Sequence, residues 1–200
     1  MKYKISLLFL LALFFIPMHE AHSKKSANVL EIKSKPLTIY ENRGGDFELI
    51  GPEGNEISSV SFRGKIILIY FGYTYCPDFC PMTLSYLNAL MMDIAGLARD
   101  IQVLFITIDP KRDTPEKLKE YVSYFNPDFI GMTGSIREIK EIAKKYGVGF
   151  FKQQVESEEG YFLAHTDRVF LIDKNGRYRG HYKVQSEIEK LNSDIQSLFD

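Results

Sequence analysis

The chain has 200 residues, 45% of them hydrophobic and 14% aromatic, which is enough for one globular domain with a substantial core. Lysine and arginine total 25 against 26 aspartates and glutamates, a formal charge of −1, and that balance argues against a nucleic-acid partner. Two cysteines are too few to form a disulfide framework, so the fold must stand on its core.

Lys2 and Lys4 precede an apolar segment from Ile5 to Met18 of about 14 residues, short of the roughly 20 a spanning helix needs. Pro17 sits near its end, and Ala21-His22-Ser23 places small residues where a signal peptidase reads. Residues 1–23 are therefore expected to be a cleaved secretory signal, with an uncleaved N-terminal membrane anchor as the alternative. Either reading exports the domain. In a two-membrane bacterium it would face the periplasm, in solution or anchored to the inner membrane. In that oxidising compartment two lone cysteines are more plausibly reactive than structural. Residues 24–36 are polar and basic with no periodic apolar face, and read as a tether.

The domain proper is expected over 37–200. Phe47 to Ile50, the turn residues Gly51-Pro52-Glu53-Gly54, and Glu56 to Val60 predict a β-hairpin. Ile66 to Phe71 is a short, β-branched and aromatic run bounded by Gly64 and Gly72, the pattern of a fully buried strand. Both cysteines follow it in Tyr73-Thr74-Tyr75-Cys76-Pro77-Asp78-Phe79-Cys80-Pro81. Leu84, Leu87, Leu90, Met91 and Ile94 then recur at helical spacing. The cysteines thus belong to a strand-to-helix junction, where the helix N-terminus favours thiolate.

Residues four apart on a helix hold their Cβ atoms about 5–6 Å apart, whereas a disulfide needs roughly 3.5–4.5 Å. Pro77 pushes Cys76 out of the helical region and into the loop, so metal ligation and a disulfide both stay open. Buried structural thiols are the plain alternative.

Ile101 to Ile108 predicts a second buried strand, and Thr114-Pro115-Glu116 opens a helix to about Phe125 with a cap residue and a proline at its first position. Phe129 to Met132 reads as a short strand. Ser135 with Glu138 forms a capping box for a helix ending at Tyr146-Gly147. Tyr161 to Ala164 and Arg168 to Asp173 are strand-like, Asn175-Gly176 turns the chain into Tyr178 to Val184, and Ile188, Leu191, Ile195 and Leu198 mark a closing helix. The order suggests one α/β domain of thioredoxin type, without internal repeats.

Beyond the signal, His165 and His181 are the histidines available. His165 falls between strand-like runs, in a loop or at a strand edge; His181 lies on a hairpin strand and is expected to face solvent. Two thiolates and one imidazole make a soft ligand set that suits Cu(I) and accepts Zn. Asp109-Pro110-Lys111-Arg112-Asp113-Thr114-Pro115 leaves a buried strand at the sheet end where the cysteines emerge. It reads either as a loop orienting the metal site or as a capping turn with a solvated ion pair. Tyr73 and Tyr75 are taken as surface tyrosines that shield the site or dock a partner, although Tyr73 packing on the sheet is the plainer reading.

These three motifs in order, the cysteine stretch, Asp109 to Pro115, and His165 ahead of Asp173-Lys174-Asn175-Gly176, closely resemble the Sco (SenC) family of copper chaperones over about residues 37–200. The resemblance implies a thioredoxin-like fold with extra secondary-structure insertions and one copper held by Cys76, Cys80 and His165. It also implies assembly of the CuA site of cytochrome c oxidase, by copper delivery, by reduction of that site's cysteines, or both. The partners would be the oxidase copper subunit and an upstream copper donor or thiol reductant. Many members carry an acidic residue just before the histidine, where this chain has Ala164, and Asp113 matches the family's aspartate motif. The competing reading is a thiol–disulfide oxidoreductase in which Cys76 attacks and Cys80 resolves. A third, a peroxide-reducing thiol enzyme, needs Arg112 or Arg168 beside the thiolate.

Overall fold

The computed structural model describes residues 36–154 and 160–199. The expected signal, 1–23, and the tether up to residue 35 lie outside the described residues.

Two strands, β3 (Ile66–Gly72) and β4 (Ile101–Thr107), form the heart of the molecule, and every residue of both is buried. Continuous apolar runs of this kind suit parallel strands covered on both faces, and the two pair in parallel register from Ile66 opposite Ile101 to Gly72 opposite Thr107. The sheet has five strands in the order β5-β4-β3-β8-β9. The strand β5 (Ile130–Met132) extends the parallel side, while β8 (Val169–Ile172) and β9 (Tyr178–Tyr182) add an antiparallel hairpin. Asp173 does not continue β8. It accepts the backbone N–H groups of Asn175 and Arg177 and pairs with Arg177 and Arg179, fixing the turn.

Among the described residues, four helices connect and cover these strands: α1 (Phe79–Asp93), α2 (Pro115–Phe125), α3 (Ile136–Tyr146) and α4 (Val184–Gln196). Local chemistry sets their ends. The Thr114 side chain caps α2 by accepting the Lys117 N–H at 3.3 Å, with Pro115 opening the helix. Ser135 and Glu138 make the expected reciprocal capping box on α3, and Gly147 at φ 74° ends it.

The N-terminal hairpin pairs β1 (Glu48–Ile50) with β2 (Glu56–Ser58). The predicted second strand ran on to Val60, but a 3₁₀ turn begins at Ser59, whose hydroxyl accepts the Phe47 N–H at 3.0 Å. A second ribbon, β6 (Phe150–Gln154) with β7 (Tyr161–His165), stands apart from the five-stranded sheet. The sequence reading missed β6. Its run Phe-Phe-Lys-Gln-Gln has neither clean alternation nor a buried face, and its side chains are mostly exposed.

Candidate metal centre

The parallel pairing of β3 and β4 brings the cysteine loop and the Asp109 loop to one edge of the sheet. Cys76 lies in the loop ahead of Pro77 and Cys80 in the first turn of α1, as the proline rule requires. Asp78, at the N-cap of α1, makes no side-chain capping bond. Instead, Cys76 Sγ accepts the Cys80 backbone N–H at 3.4 Å, so a sulfur takes one of the helix's open donors. Gly72 makes room: a Cβ there would stand 2.8 Å from Cys80 Sγ and 2.8 Å from the Phe105 ring.

His165 arrives from the other side as the last residue of β7. The base of its ribbon is closed by Thr166, whose N–H donates to the Gly149 carbonyl at 2.9 Å and whose hydroxyl accepts the Gly149 N–H at 3.1 Å. Higher up, the Leu163 N–H donates to the Tyr73 hydroxyl at 3.1 Å. His165 Nδ1 lies 3.2 Å from the Thr166 carbonyl, an oxygen that can only accept, so Nδ1 is a donor there. Its other ring nitrogen, Nε2, faces the site, 3.6 Å from Cys80 Sγ.

The ligand atoms of Cys76, Cys80 and His165 all lie within 4.8 Å of one another. Bonds of about 2.0–2.3 Å to a shared ion let three such atoms sit around it, so the donor set fits a soft cation. His181 is not part of this group. It is exposed on β9, with Nδ1 2.7 Å from the Tyr178 hydroxyl.

The two thiols differ electrostatically. A hydrogen bond from the Cys80 thiol, against the opposing effect of burial, pulls Cys76 down to about 4, with further help from His165 and the Cys80 N–H. Burial pushes Cys80 well up, reinforced by its proton's engagement with Cys76. One proton thus stays with the inner sulfur while the outer one is a thiolate. The hydrogen bonds that lower Cys76 most come from Cys80, His165 and backbone N–H groups, while Arg168 lines the same cleft as Cys76.

Beneath Cys80 lies a polar cluster that the sequence reading did not single out. The Tyr70 hydroxyl is 3.7 Å from Cys80 Sγ and donates to Asp167 at 3.0 Å. The same carboxylate accepts Thr83 at 3.5 Å and the Gln185 amide, from the first turn of α4, at 3.0 Å. Burial above all holds the Tyr70 hydroxyl in its protonated form. Asp167 stands two residues past His165, and only that adjacency could have flagged it.

Asp113 is fully buried and accepts the Thr74 N–H at 3.1 Å and the hydroxyls of Thr74 and Thr107, each at 2.6 Å. It thereby ties the Asp109 loop to the cysteine loop. Asp109 is buried as well, paired with Arg112 at 2.5 Å and accepting the Tyr161 hydroxyl at 2.9 Å, so the ion pair that one of the two readings of this loop placed in solvent is an interior one. Tyr73 is also corrected, from a surface residue to one only 1% exposed, with its ring edge-on to His165 at 6.0 Å. Tyr75 is half-buried.

A cleft of about 600 Å³ opens onto the centre, lined by Cys76, Pro77, Phe79, Phe162, Ala164 and His165. Phe79 is 50% exposed at its rim. Ala164 puts a methyl group into this wall, so the departure noted in the sequence makes the rim more apolar and leaves the three donors in place.

An α/β domain that gathers two unlike thiols and an imidazole at the carboxyl ends of parallel strands is a thioredoxin-like protein with its reactive centre at the strand–helix junction. The comparisons agree with that class. The family model SCO1/SenC matches residues 37–200, and the chain belongs to that family. A SCO2-like protein of Rickettsia prowazekii is 42% identical over 170 residues, covering 81% of this chain and 83% of the relative. The crystal structure of Arabidopsis thaliana ScoI, solved with copper bound, superposes with a TM-score of 0.70 at 34% identity, covering 76% of this chain and 98% of that one. A structure of BsSco, described as a member of the Sco family of cytochrome c oxidase assembly proteins with a disulfide switch, gives a TM-score of 0.63 at 26% identity. It covers 82% of this chain and 96% of that one.

Proposed function

We propose that this chain is a copper metallochaperone for the binuclear CuA site of cytochrome c oxidase, carrying the ion as cargo on Cys76, Cys80 and His165. The observation that carries the reading is the convergence of those three donors within 4.8 Å, with Cys76 and His165 lining an open cleft and Cys80 buried behind them. Thiolates and a neutral imidazole suit copper, and an accessible site lets an incoming thiolate displace one ligand at a time. Cys76, already ionised, is the ready first ligand. Cys80 gives up its proton as the ion is bound.

The second reading, thiol–disulfide exchange, is favoured by the same asymmetry. A low-pKa outer thiolate beside a protonated inner thiol is the arrangement of an attacking and a resolving cysteine. His165 discriminates between the two, since exchange does not require it.

Residues 1–23 serve as the export signal or anchor of this reading, 24–36 as the tether, and 37–200 as the copper-binding domain. The domain then faces the compartment in which the oxidase copper subunit and a copper donor or thiol reductant are met. Among the described residues no helix is long and apolar enough to cross a membrane. The test loads the reduced full chain with Cu(I) and with Cu(II). Cys76→Ser or Cys80→Ser should abolish stable Cu(I) binding, and His165→Ala should remove the nitrogen signature of bound Cu(II) in paramagnetic resonance. Full copper retention in either serine variant would overturn the assignment.

A further inference from the structure

The ribbon that delivers His165 is not hydrogen-bonded into the five-stranded sheet, so something else must set where it stands. At its base the Gly149 and Thr166 bonds act as a hinge-side closure. At its far end, beside Tyr161, cations and rings alternate. Lys152 Nζ lies 3.8 Å from the Tyr161 ring centre, the Arg112 guanidinium carbon lies 3.7 Å from that same ring centre and 4.5 Å from the Tyr75 ring centre, and Lys117 Nζ lies 3.6 Å from the Tyr75 ring centre. The stack runs from the ribbon, through the loop after β4, to the cysteine loop and α2. Tyr75 is the residue immediately before Cys76.

We infer that Arg112, at the centre of this stack, is a positioning residue that holds the His165 ribbon against the cysteine loop. Its guanidinium does three things at once. It stacks on both rings, Nη1 donates to the Tyr161 carbonyl at 3.1 Å, and Nε pairs with the buried Asp109 carboxylate, which also accepts the Tyr161 hydroxyl. A planar guanidinium can stack and donate in this way, and an ammonium group cannot. Side chains two and four apart on a strand share a face, so Tyr161, Leu163 and His165 point the same way. Fixing Tyr161 therefore fixes the tilt of the face that carries Nε2.

This rests on Cys76, Cys80 and His165 being the copper ligands, and the experiment separates the two ideas. The full chain is prepared as Tyr161→Leu, which removes the ribbon's ring from the stack and its hydroxyl bond to Asp109, and as Arg112→Gln and Arg112→Lys, each with and without His165→Ala. Cu(I) and Cu(II) affinities are measured by competition, with the nitrogen coupling of bound Cu(II) as the spectroscopic readout and circular dichroism to confirm folding. Losing these contacts should weaken Cu(II) binding by about tenfold and diminish the nitrogen coupling in Tyr161→Leu and Arg112→Gln, with Arg112→Lys in between. In the His165→Ala background Tyr161→Leu should change copper affinity no further. Tyr161→Leu and Arg112→Gln variants that keep full nitrogen coupling and affinity would overturn the inference, as would a Tyr161→Leu loss of equal size with and without His165. If His165→Ala itself kept the nitrogen coupling, the ligand assignment would be what fails.

Discussion

Asp113 offers a direct measure of how firmly the cysteine loop is built. Its side chain is fully buried and held by the Thr74 N–H and the hydroxyls of Thr74 and Thr107. Asp113→Ala strips the acceptor from all three. The Thr74 hydroxyl, half-buried, can turn toward water, but the Thr74 N–H and the buried Thr107 hydroxyl are left short. At about 1–3 kcal/mol for each unsatisfied group, with a small cavity added, the loss comes to about 3–5 kcal/mol. Asp113→Asn keeps the shape and one acceptor oxygen, so about 1–2 kcal/mol is expected. For a domain of this size each kcal/mol moves the melting temperature by roughly 2–4 °C, which puts the alanine variant about 6–20 °C below the parent. The assay is thermal unfolding of the reduced, metal-free chain, with urea titration to check that the slope is unchanged. A shift below about 2 °C for alanine, or an asparagine variant less stable than the alanine one, would refute the reasoning, because it rests on buried donors needing an acceptor.

Gly72→Ala would drive a methyl group against Cys80 Sγ and the Phe105 ring, each 2.8 Å away. Overpacking of this kind should destabilise by about 1–3 kcal/mol, and thermal unfolding together with copper stoichiometry would register it. Cys76, pulled down to about 4 by the Cys80 thiol, stays a thiolate as pH falls to 6, whereas Cys80, raised by burial, does not ionise there. Iodoacetamide at pH 6 should therefore modify Cys76 well ahead of Cys80. Peptide mapping that found equal labelling, or a Cys76 rate rising about tenfold per pH unit between 6 and 8 as for an ordinary thiol, would contradict this.

The parts of the fold that could be read from the sequence are those in which local chemistry and tertiary packing agree. Ile66 to Phe71 and Ile101 to Ile108 carry unbroken apolar runs because both faces are covered, and the pattern survives in the structure as β3 and β4. Thr114-Pro115 and Ser135 with Glu138 encode their helix starts within three residues, so they needed no knowledge of neighbours. Phe150 to Gln154 was illegible for the opposite reason: its strand exists only because Tyr161 to His165 lies beside it. At the site, Cys76 and Cys80 announce themselves by spacing, and His165 by resemblance. The roles of Asp109, Tyr73 and Asp167 depend on contacts between residues about 18 to 97 positions apart, and no local pattern carries such contacts.

The three donors differ in how tightly the fold holds them, and that difference bears on what the centre can do. Cys80 sits in a helix turn, fully buried under Gly72, Phe105 and Tyr70. Cys76 belongs to a loop, tied through its N–H to the Tyr73 carbonyl at 3.2 Å and, two residues earlier, through Thr74 to Asp113. His165 rides on a ribbon held by a handful of contacts. Cys76 and His165 line the cleft, so on the proposed ligand set a partner thiolate would begin exchange at the two adjustable donors and end at the fixed one. The same geometry makes metal loading and oxidation alternatives. A disulfide needs its sulfurs about 2.05 Å apart, which Cys76 can approach by moving its loop while Cys80 stays in place, and the bond then consumes both thiolates that copper requires. Because one set of atoms serves both chemistries, the proposed ligand set makes the redox state of the Cys76 and Cys80 pair decide whether the chain can carry copper at all.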